Sequence, residues 1–349
     1  MRVSYVIPVY RTEQYLPRCL DSLVAQSDGD FEAIVVDDCS PSPESKSENG
    51  ATASEIVARY DSRFKCIRQD RNRSTFQAKA TGARAATGDY IVPLDSDDYV
   101  LPGLVRELKR EIDRHSSDNS QLSTLNSQLD LIVYQMVKEY RGRTYPVKYN
   151  HPRYRCSGEE ALDKLFSGRI FMPVCGKAIR REVFLTAYEG LGVGPDFYLN
   201  FTDDLCWLLP ILFNVKTVSF IPYKGYRYWR HDDSMTKDVM AEERVRSLAE
   251  QSRRSVETVI AYARRLGKDE RTIAQIRAQL YPTIRWLMRD MGRDHAALEA
   301  VYGADLVAET IAWDESSGGS LVKMVRHLIK YGVCATVREV AARIRGIEI

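Results

Sequence analysis

Cysteine is scarce and scattered in this 349-residue chain: Cys19, Cys39, Cys66, Cys156, Cys175, Cys206 and Cys334, an odd seven with no C-x-x-C among them. That pattern argues against a disulfide framework or a thiolate zinc site and fits a reducing compartment. No apolar run approaches the roughly 20 residues that span a bilayer. The opening Met1-Arg2-Val3-Ser4-Tyr5-Val6-Ile7-Pro8 enters a strand at once, without the layout of a signal peptide. A cytosolic protein is therefore expected. Net charge is only +2, which gives no reason to expect nucleic acid as a partner. There is no G-x-G-x-x-G after the first strand and no G-x-x-x-x-G-K-[ST]. Their absence weighs against a dinucleotide site and a P-loop kinase. What is present is ordinary globular material, 44% hydrophobic and 28% charged. The length permits one large domain, or one domain with an appendage.

The feature that stands out is Asp95-Ser96-Asp97-Asp98, placed directly after the apolar run Tyr90-Ile91-Val92-Pro93-Leu94. Gly88 before the run and Pro102 after it mark a buried strand, so the acids emerge together at its carboxyl end. In an open α/β sheet that is where ligands bind. Clustered carboxylates repel one another unless a cation or a hydrogen-bonding ligand stabilises them. Oxygen ligands of this kind suit Mg2+ or Mn2+ holding phosphate oxygens. The competing reading is an acid-rich turn that caps the next helix.

Strands are expected at Val3–Val9, Phe31–Val36, Phe64–Arg68 and Tyr90–Leu94, with helices at Glu13–Ala25, Glu55–Tyr60 and Ser74–Ala86 between them. That alternation is the rhythm of a parallel sheet with right-handed crossovers. A helix over Pro102–Arg114, a polar insertion over Ser116–Gln128 and a single strand over Leu131–Val137 follow. Next come a hairpin through Arg155, helices at Glu159–Phe166 and Asp203–Phe213, and strands at Thr217–Ile221 and Tyr226–Arg230. From about Ala241 the pattern is wholly helical, with a break at Trp313–Ser320. A catalytic domain is expected over 1–238 and a helical appendage over 239–349.

Val6-Ile7-Pro8-Val9-Tyr10, Asp37-Asp38-Cys39-Ser40, Ala85-Ala86-Thr87-Gly88-Asp89-Tyr90-Ile91 and Leu94-Asp95-Ser96-Asp97-Asp98 occur in that order. In order and spacing they resemble the family 2 glycosyltransferases, over roughly the first 110 residues, with weaker echoes to about 236. The resemblance implies the GT-A fold, an α/β architecture with a mostly parallel central sheet flanked by helices, here with a C-terminal helical appendage. It also implies a nucleotide-diphosphate sugar donor, with UDP the usual nucleotide, a divalent metal (Mn2+ or Mg2+), and transfer with inversion to a hydroxyl of a saccharide or lipid-linked acceptor. The setting it suggests is surface polysaccharide or lipopolysaccharide assembly.

Residue by residue, the resemblance places Pro8, Val9 and Tyr10 against the nucleoside, with Glu13 a frequent acid nearby. It puts Asp38 on the base, Asp37 as its structural neighbour, Asp95 at the ribose, Ser96 among the donor-binding residues, and Asp97 on the metal. Asp98 assists or caps the next helix. Lys79, in Ala78-Lys79-Ala80-Thr81-Gly82 where the family has A-R-N-x-G, approaches the diphosphate or lies on a solvated helix face. Phe201-Thr202-Asp203-Asp204 matches the aromatic-x-Glu-Asp element whose second acid is the base, which assigns Asp204 that role beside Asp203. Lys177 contacts acceptor or diphosphate, or forms a salt bridge. Arg230 and His231 belong to a loop that closes over the diphosphate. In the appendage, Leu321, Val322, Val325, Leu328 and Ile329 share a face opposite Lys323, Arg326, His327 and Lys330. Such a helix can lie on an anionic membrane or pack on the domain with its basic face in water. Two rivals stand at this point. A sugar-phosphate nucleotidyltransferase would need a Gly-rich basic loop where Val9-Tyr10-Arg11-Thr12 stands, and an inactive binding homologue would not need both Asp97 and Asp204.

Overall fold

The computed structural model describes residues 1–41, 50–117, 128–140, 142–146, 151–230, 242–288 and 295–316. Strand β1 (Val3–Val9) is buried along its whole length and pairs in parallel with β2 (Phe31–Asp37) on one side. A strand covered on both faces reads as a continuous apolar run, as VSYVIPV does. β3 (Phe64–Arg68) extends the sheet beyond β2, and β4 (Tyr90–Pro93) lies on the other side of β1. The β1–β4 register stops at Val6 opposite Pro93, so Pro8 lies past the paired stretch on that side and its missing N–H breaks no bond there.

Helix α1 (Leu16–Val24) starts later than its apolar spacing suggests. Pro17 occupies its first turn, and Leu16, Cys19, Leu20 and Leu23 face the core. α2 (Ala53–Val57) begins two residues earlier than expected because Thr52 and Glu55 form a capping box. α3 (Ser74–Ala85) lies so close to the sheet that a Cβ on Gly82 would sit 2.5 Å from a Val6 methyl. Only glycine permits that approach.

After β5 (Tyr99–Val100) and α4 (Leu104–Ser116), the segment expected as one strand is two. β6 (Leu131–Val133) stays in the main sheet and β7 (Met136–Tyr140) enters a second one. The switch falls at Tyr134 and Gln135, whose N–H groups leave the ladder to donate to the carbonyls of Gly176 and Tyr223. β8 (Arg143–Pro146) closes a hairpin on β7. β9 (Tyr154–Ser157) and α5 (Gly158–Phe166), capped by Ser157 and Glu160, come next.

β10 (Lys177–Arg180) inserts antiparallel between β4 and β6, a strand the sequence pattern did not suggest. It is followed by α6 (Arg181–Leu191), α7 (Asp203–Asn214), β11 (Thr217–Phe220) and β12 (Tyr226–Arg230). The main sheet runs β3-β2-β1-β4-β10-β6-β11-β9 and the smaller one β5-β12-β7-β8.

Beyond the sheets the described residues are helical: α8 (Glu242–Arg265), α9 (Glu270–Ala278), α10 (Leu280–Met288), α11 (Ala296–Tyr302) and α12 (Ala304–Ser316). α12 continues through Trp313, where a break was expected. Val256, Val259 and Ala263 of α8 share an apolar cluster with Phe184 and Trp207, so α8 is docked on the α/β unit. The basic segment around 321–345 and His231 lie outside the described residues.

Candidate functional site

β1, β2 and β4 run parallel, so their carboxyl ends bring Tyr10, Asp37-Asp38 and Asp95 to Asp98 to one edge of the sheet. The first loop is pinned there: the Asp38 N–H donates to the Val9 carbonyl at 2.8 Å, and the Thr12 and Ser96 hydroxyls meet at 2.7 Å. Pro8 and Val9 are buried strand residues, whereas Tyr10 is 38% exposed. Glu13 is buried, and one of its carboxylate oxygens has no hydrogen-bond donor among the described residues.

The two acids ending β2 have different work. Asp37 accepts the Ser40 N–H at 2.8 Å and pairs with Arg68. Asp38, also buried, accepts from the Gln69 amide at 2.7 Å and from the Arg73 and Ser74 N–H groups at 2.7 and 2.8 Å. Burial raises its pKa, and those N–H bonds work against the rise. Asp38 thus ties the loop before α3 to the sheet edge, and of its acceptor positions one remains on Oδ2. Tyr198 stands on the same rim, 37% exposed. Burial, then the nearby Asp38 and Tyr10, push its hydroxyl pKa upward. Its hydroxyl accepts from the Asn200 amide at 2.6 Å, while Asn200 Oδ1 takes the Thr75 N–H at 2.7 Å.

In the acid turn, Asp98 is buried and fully engaged. It accepts the Tyr226 hydroxyl at 2.6 Å and the Trp229 N–H at 2.8 Å. It does not cap the following helix. It fastens the turn to β12. The Tyr226 hydroxyl also accepts the Asp95 N–H at 3.3 Å. Arg18 stacks on Trp229 with its guanidinium carbon 3.8 Å from the ring centre and donates to the Asp97 carbonyl at 2.8 Å. Burial, then the charges of Asp97 and Asp95, hold the Asp98 carboxyl well above the usual range. Asp95 and Asp97 themselves are part-exposed.

Lys79 lies on no solvated face. It is 3% exposed, and its ammonium is 2.8 Å from Asp203 and 4.0 Å from Asp204. Burial opposes its charge, but Asp203, Asp95 and Asp204 outweigh that and hold its pKa well above normal. Burial lifts Asp203 to about 6 against the pull of Lys79, because one ammonium cannot offset every neighbouring carboxylate. Asp203 and Asp204 open α7, where acids favour the helix dipole, after Thr202 in the left-handed region at φ 60°. Asp204 has a 32% exposed side chain and accepts the Val174 N–H at 2.9 Å.

Lys177 forms no salt bridge among the described residues; it is 1% exposed and donates to the carbonyls of Phe171, at 2.9 Å, and Pro173. Arg230 is exposed at the end of β12, its guanidinium over the Tyr140 ring. Cys175, Tyr226 and Arg18 had no role assigned from the sequence. Each meets the acid turn across 79 or more residues, and no local spacing announces such contacts.

Among the described residues no three His, Cys, Asp or Glu side chains form a ready-made metal cage. The oxygen donor of Asp97 nonetheless suits a hard divalent ion that takes few protein ligands and completes its shell with phosphate and water.

A parallel-sheet edge lined with acids, with a buried lysine among them and a helix-opening acid facing solvent, stands where open α/β sheets bind their ligands. Residues 4–186 match Glycosyl transferase family 2, and the chain belongs to that family. It is 34% identical to the uncharacterized glycosyltransferase EpsJ of Bacillus subtilis over 67% of this chain and 63% of that one. With the succinoglycan biosynthesis protein ExoO of Rhizobium meliloti it shares 35% identity over 37% of this chain and 34% of the other. The chain therefore spans less than two thirds of either relative. The crystal structure of S. aureus TarS 1-349 in complex with UDP-GlcNAc superposes with a TM-score of 0.54 at 17% identity, covering 91% of both chains. That likeness establishes the GT-A fold. Among the described residues no helix is long and apolar enough to cross a membrane.

Proposed function

We propose that this chain is an inverting, hexosyl-type glycosyltransferase that takes a sugar from a UDP-sugar and passes it to a hydroxyl of a saccharide or lipid-linked acceptor in surface polysaccharide assembly. The observation that carries the reading is the convergence of Asp95, Lys79, Asp203 and Asp204, with only Asp95 and Asp204 reaching solvent. The names of ExoO and of the UDP-GlcNAc-bound TarS support the setting and the donor class.

In this reading Tyr10 and the remaining acceptor position of Asp38 receive the base, with Pro8, Val9 and Glu13 beneath the nucleoside. Asp95 and Ser96 meet the ribose. Asp97 would hold a divalent cation, which when bound would stabilise charge on the departing nucleotide diphosphate. Asp204 takes the proton from the acceptor hydroxyl as its oxygen bonds to the anomeric carbon. The bond from that carbon to the diphosphate breaks on the opposite face, inverting the centre. Asp203 stays paired with Lys79 and keeps the base from being neutralised by that ammonium. Arg230, with His231 beyond it, belongs to the loop nearest the diphosphate. Residues 1–238 form the transferase unit, with α8 docked on it, and the basic sequence beyond 320 is the part whose composition suits an anionic membrane face.

The test is calorimetry with UDP, GDP and their sugars, with and without Mn2+, followed by a transfer assay. Metal-dependent UDP binding and an inverted product are expected. Asp204→Asn should lower transfer by about 10²–10⁴ and leave UDP affinity within about threefold. A retained anomeric configuration, or a loss confined to UDP affinity, overturns the assignment.

A further inference from the structure

Lys177 is a buried cation that the transferase reading does not use. Its partners are two carbonyl oxygens, those of Phe171 and Pro173, and no carboxylate of the described residues pairs with it. Burial pushes its pKa down to about 8, with Asp204 and Cys175 drawing it back up. Tyr134 and His151 face it across a small cavity. Retaining an ammonium at such a place is costly unless it holds something in position.

What it holds is the irregular segment from Phe171 to Gly176. Gly176 turns the chain back at φ 75°, where a Cβ would come within 2.8 Å of Met136, and that reversal brings Lys177 beneath the segment. Two neighbours in the segment each touch a site acid. The Val174 N–H donates to Asp204 at 2.9 Å, and the Cys175 thiol donates to Asp95 at 3.2 Å. Val174 is fully buried and Cys175 nearly so, which leaves the pair little freedom. The segment is thus a strap laid across an acid from α7 and an acid from the end of β4, both of which act on the charge of Lys79.

We infer that Lys177 is a positioning residue: by pinning the Phe171 and Pro173 carbonyls it fixes the strap, and the strap sets the spacing and orientation of the base Asp204 against the donor-side Asp95. This rests on the transferase reading. Catalysis is sensitive to such placement, since about 1 Å of displacement can cost about 10²-fold in rate.

The experiment compares wild type, Lys177→Met, Val174→Pro and the double variant. It measures kcat per UDP-binding site, with UDP affinity by calorimetry in Mn2+. Counting sites by UDP binding removes molecules that failed to fold, so a merely structural role would not lower the figure. Each single change should reduce kcat by about 10–100-fold with UDP affinity within about threefold. The double variant should fall no more than about threefold below the worse single, because both act through Asp204. Should Lys177→Met not fold, Val174→Pro carries the test, since it removes the N–H that reaches the base while keeping an apolar side chain at the buried position and leaving Lys177 unchanged. Unchanged kcat in the folded variants, fully multiplying losses, or a loss seen in UDP affinity instead of kcat overturns the inference. A wild type that turns over while its variants match it refutes this inference alone. A wild type that binds no nucleotide diphosphate refutes it and the transferase reading together.

Discussion

Replacing Lys79 by Met removes the only ammonium in ion-pair contact with Asp203 among the described residues, in a place where both side chains are nearly closed to water, at 4% and 11% exposure. Deleting one member of a buried pair costs about 3–5 kcal/mol, since it strands the other charge. An independent ceiling comes from protonation. Asp203 can always escape by taking a proton, and for a carboxyl with an ordinary pKa of about 3.9 that costs about 4 kcal/mol at pH 7 and about 1.5 kcal/mol at pH 5. With its pKa already at about 6, Asp203 bears about 3 kcal/mol of that penalty in the wild type at pH 7, so the variant should lose about 1–2 kcal/mol more at pH 7 and much less at pH 5. The sign follows from Asp203 being raised, to about 6 even with Lys79 present. A raised acid penalises the folded state as pH climbs above its unfolded value, and the penalty fades as pH falls back toward it. Urea unfolding followed by tryptophan fluorescence reads the loss, with Trp207 stacked on Phe184 at 4.4 Å in the same core. At a slope of about 3 kcal/mol/M the midpoint should drop by about 0.5 M at pH 7. Lys79→Met/Asp203→Asn should recover at least half of the deficit. An unchanged midpoint at pH 7, a pH-independent deficit or strict additivity would refute the reasoning.

Asp97→Asn removes a charged oxygen ligand while barely changing shape, so metal-dependent UDP binding should weaken and transfer fall by several orders of magnitude; full activity in EDTA would contradict this. Tyr226→Phe leaves the buried Asp98 without its O–H donor and the Asp95 N–H without its acceptor. It should destabilise by about 1–3 kcal/mol and raise the UDP dissociation constant, measured by urea unfolding and calorimetry. Lys177 is depressed to about 8, so between there and its unfolded value of about 10.4 the unfolded chain binds the extra proton. Wild type should gain up to about 3 kcal/mol relative to Lys177→Met as pH rises through that window, and a flat difference would show the ammonium is not held at depressed pKa.

The first half of the sheet was legible because its strands are buried on both faces and read as unbroken apolar runs. β10 was not, because Lys177-Ala178-Ile179-Arg180 is short, carries charge at both ends and takes its place from antiparallel neighbours distant in sequence. The division of Leu131–Val137 was hidden for a related reason. Tyr134 and Gln135 have strand-like chemistry, and only the carbonyls of Gly176 and Tyr223 draw their N–H groups out of the ladder. Lys79 looked amphipathic on its helix, yet its face is decided by Asp203, 124 residues away.

The acids illustrate the limit most sharply. In sequence Asp38, Asp95, Asp97, Asp98, Asp203 and Asp204 are equally polar, and spacing alone assigns them similar claims on a ligand. Burial separates them. Asp98 and Asp203 are enclosed and engaged by Tyr226, Trp229 and Lys79, and Asp38 is enclosed with three donors on it. Asp95, Asp97 and Asp204 keep contact with solvent. A carboxylate enclosed with good donors is a fastening, because an incoming ligand must first displace bonds that the fold needs, although Asp38 still keeps one acceptor position on Oδ2. One that is part-exposed and oriented by a single N–H, as Asp204 is by Val174, keeps a lone pair for chemistry. The site thus uses some of its acids as rivets for the turn and helix that present the others.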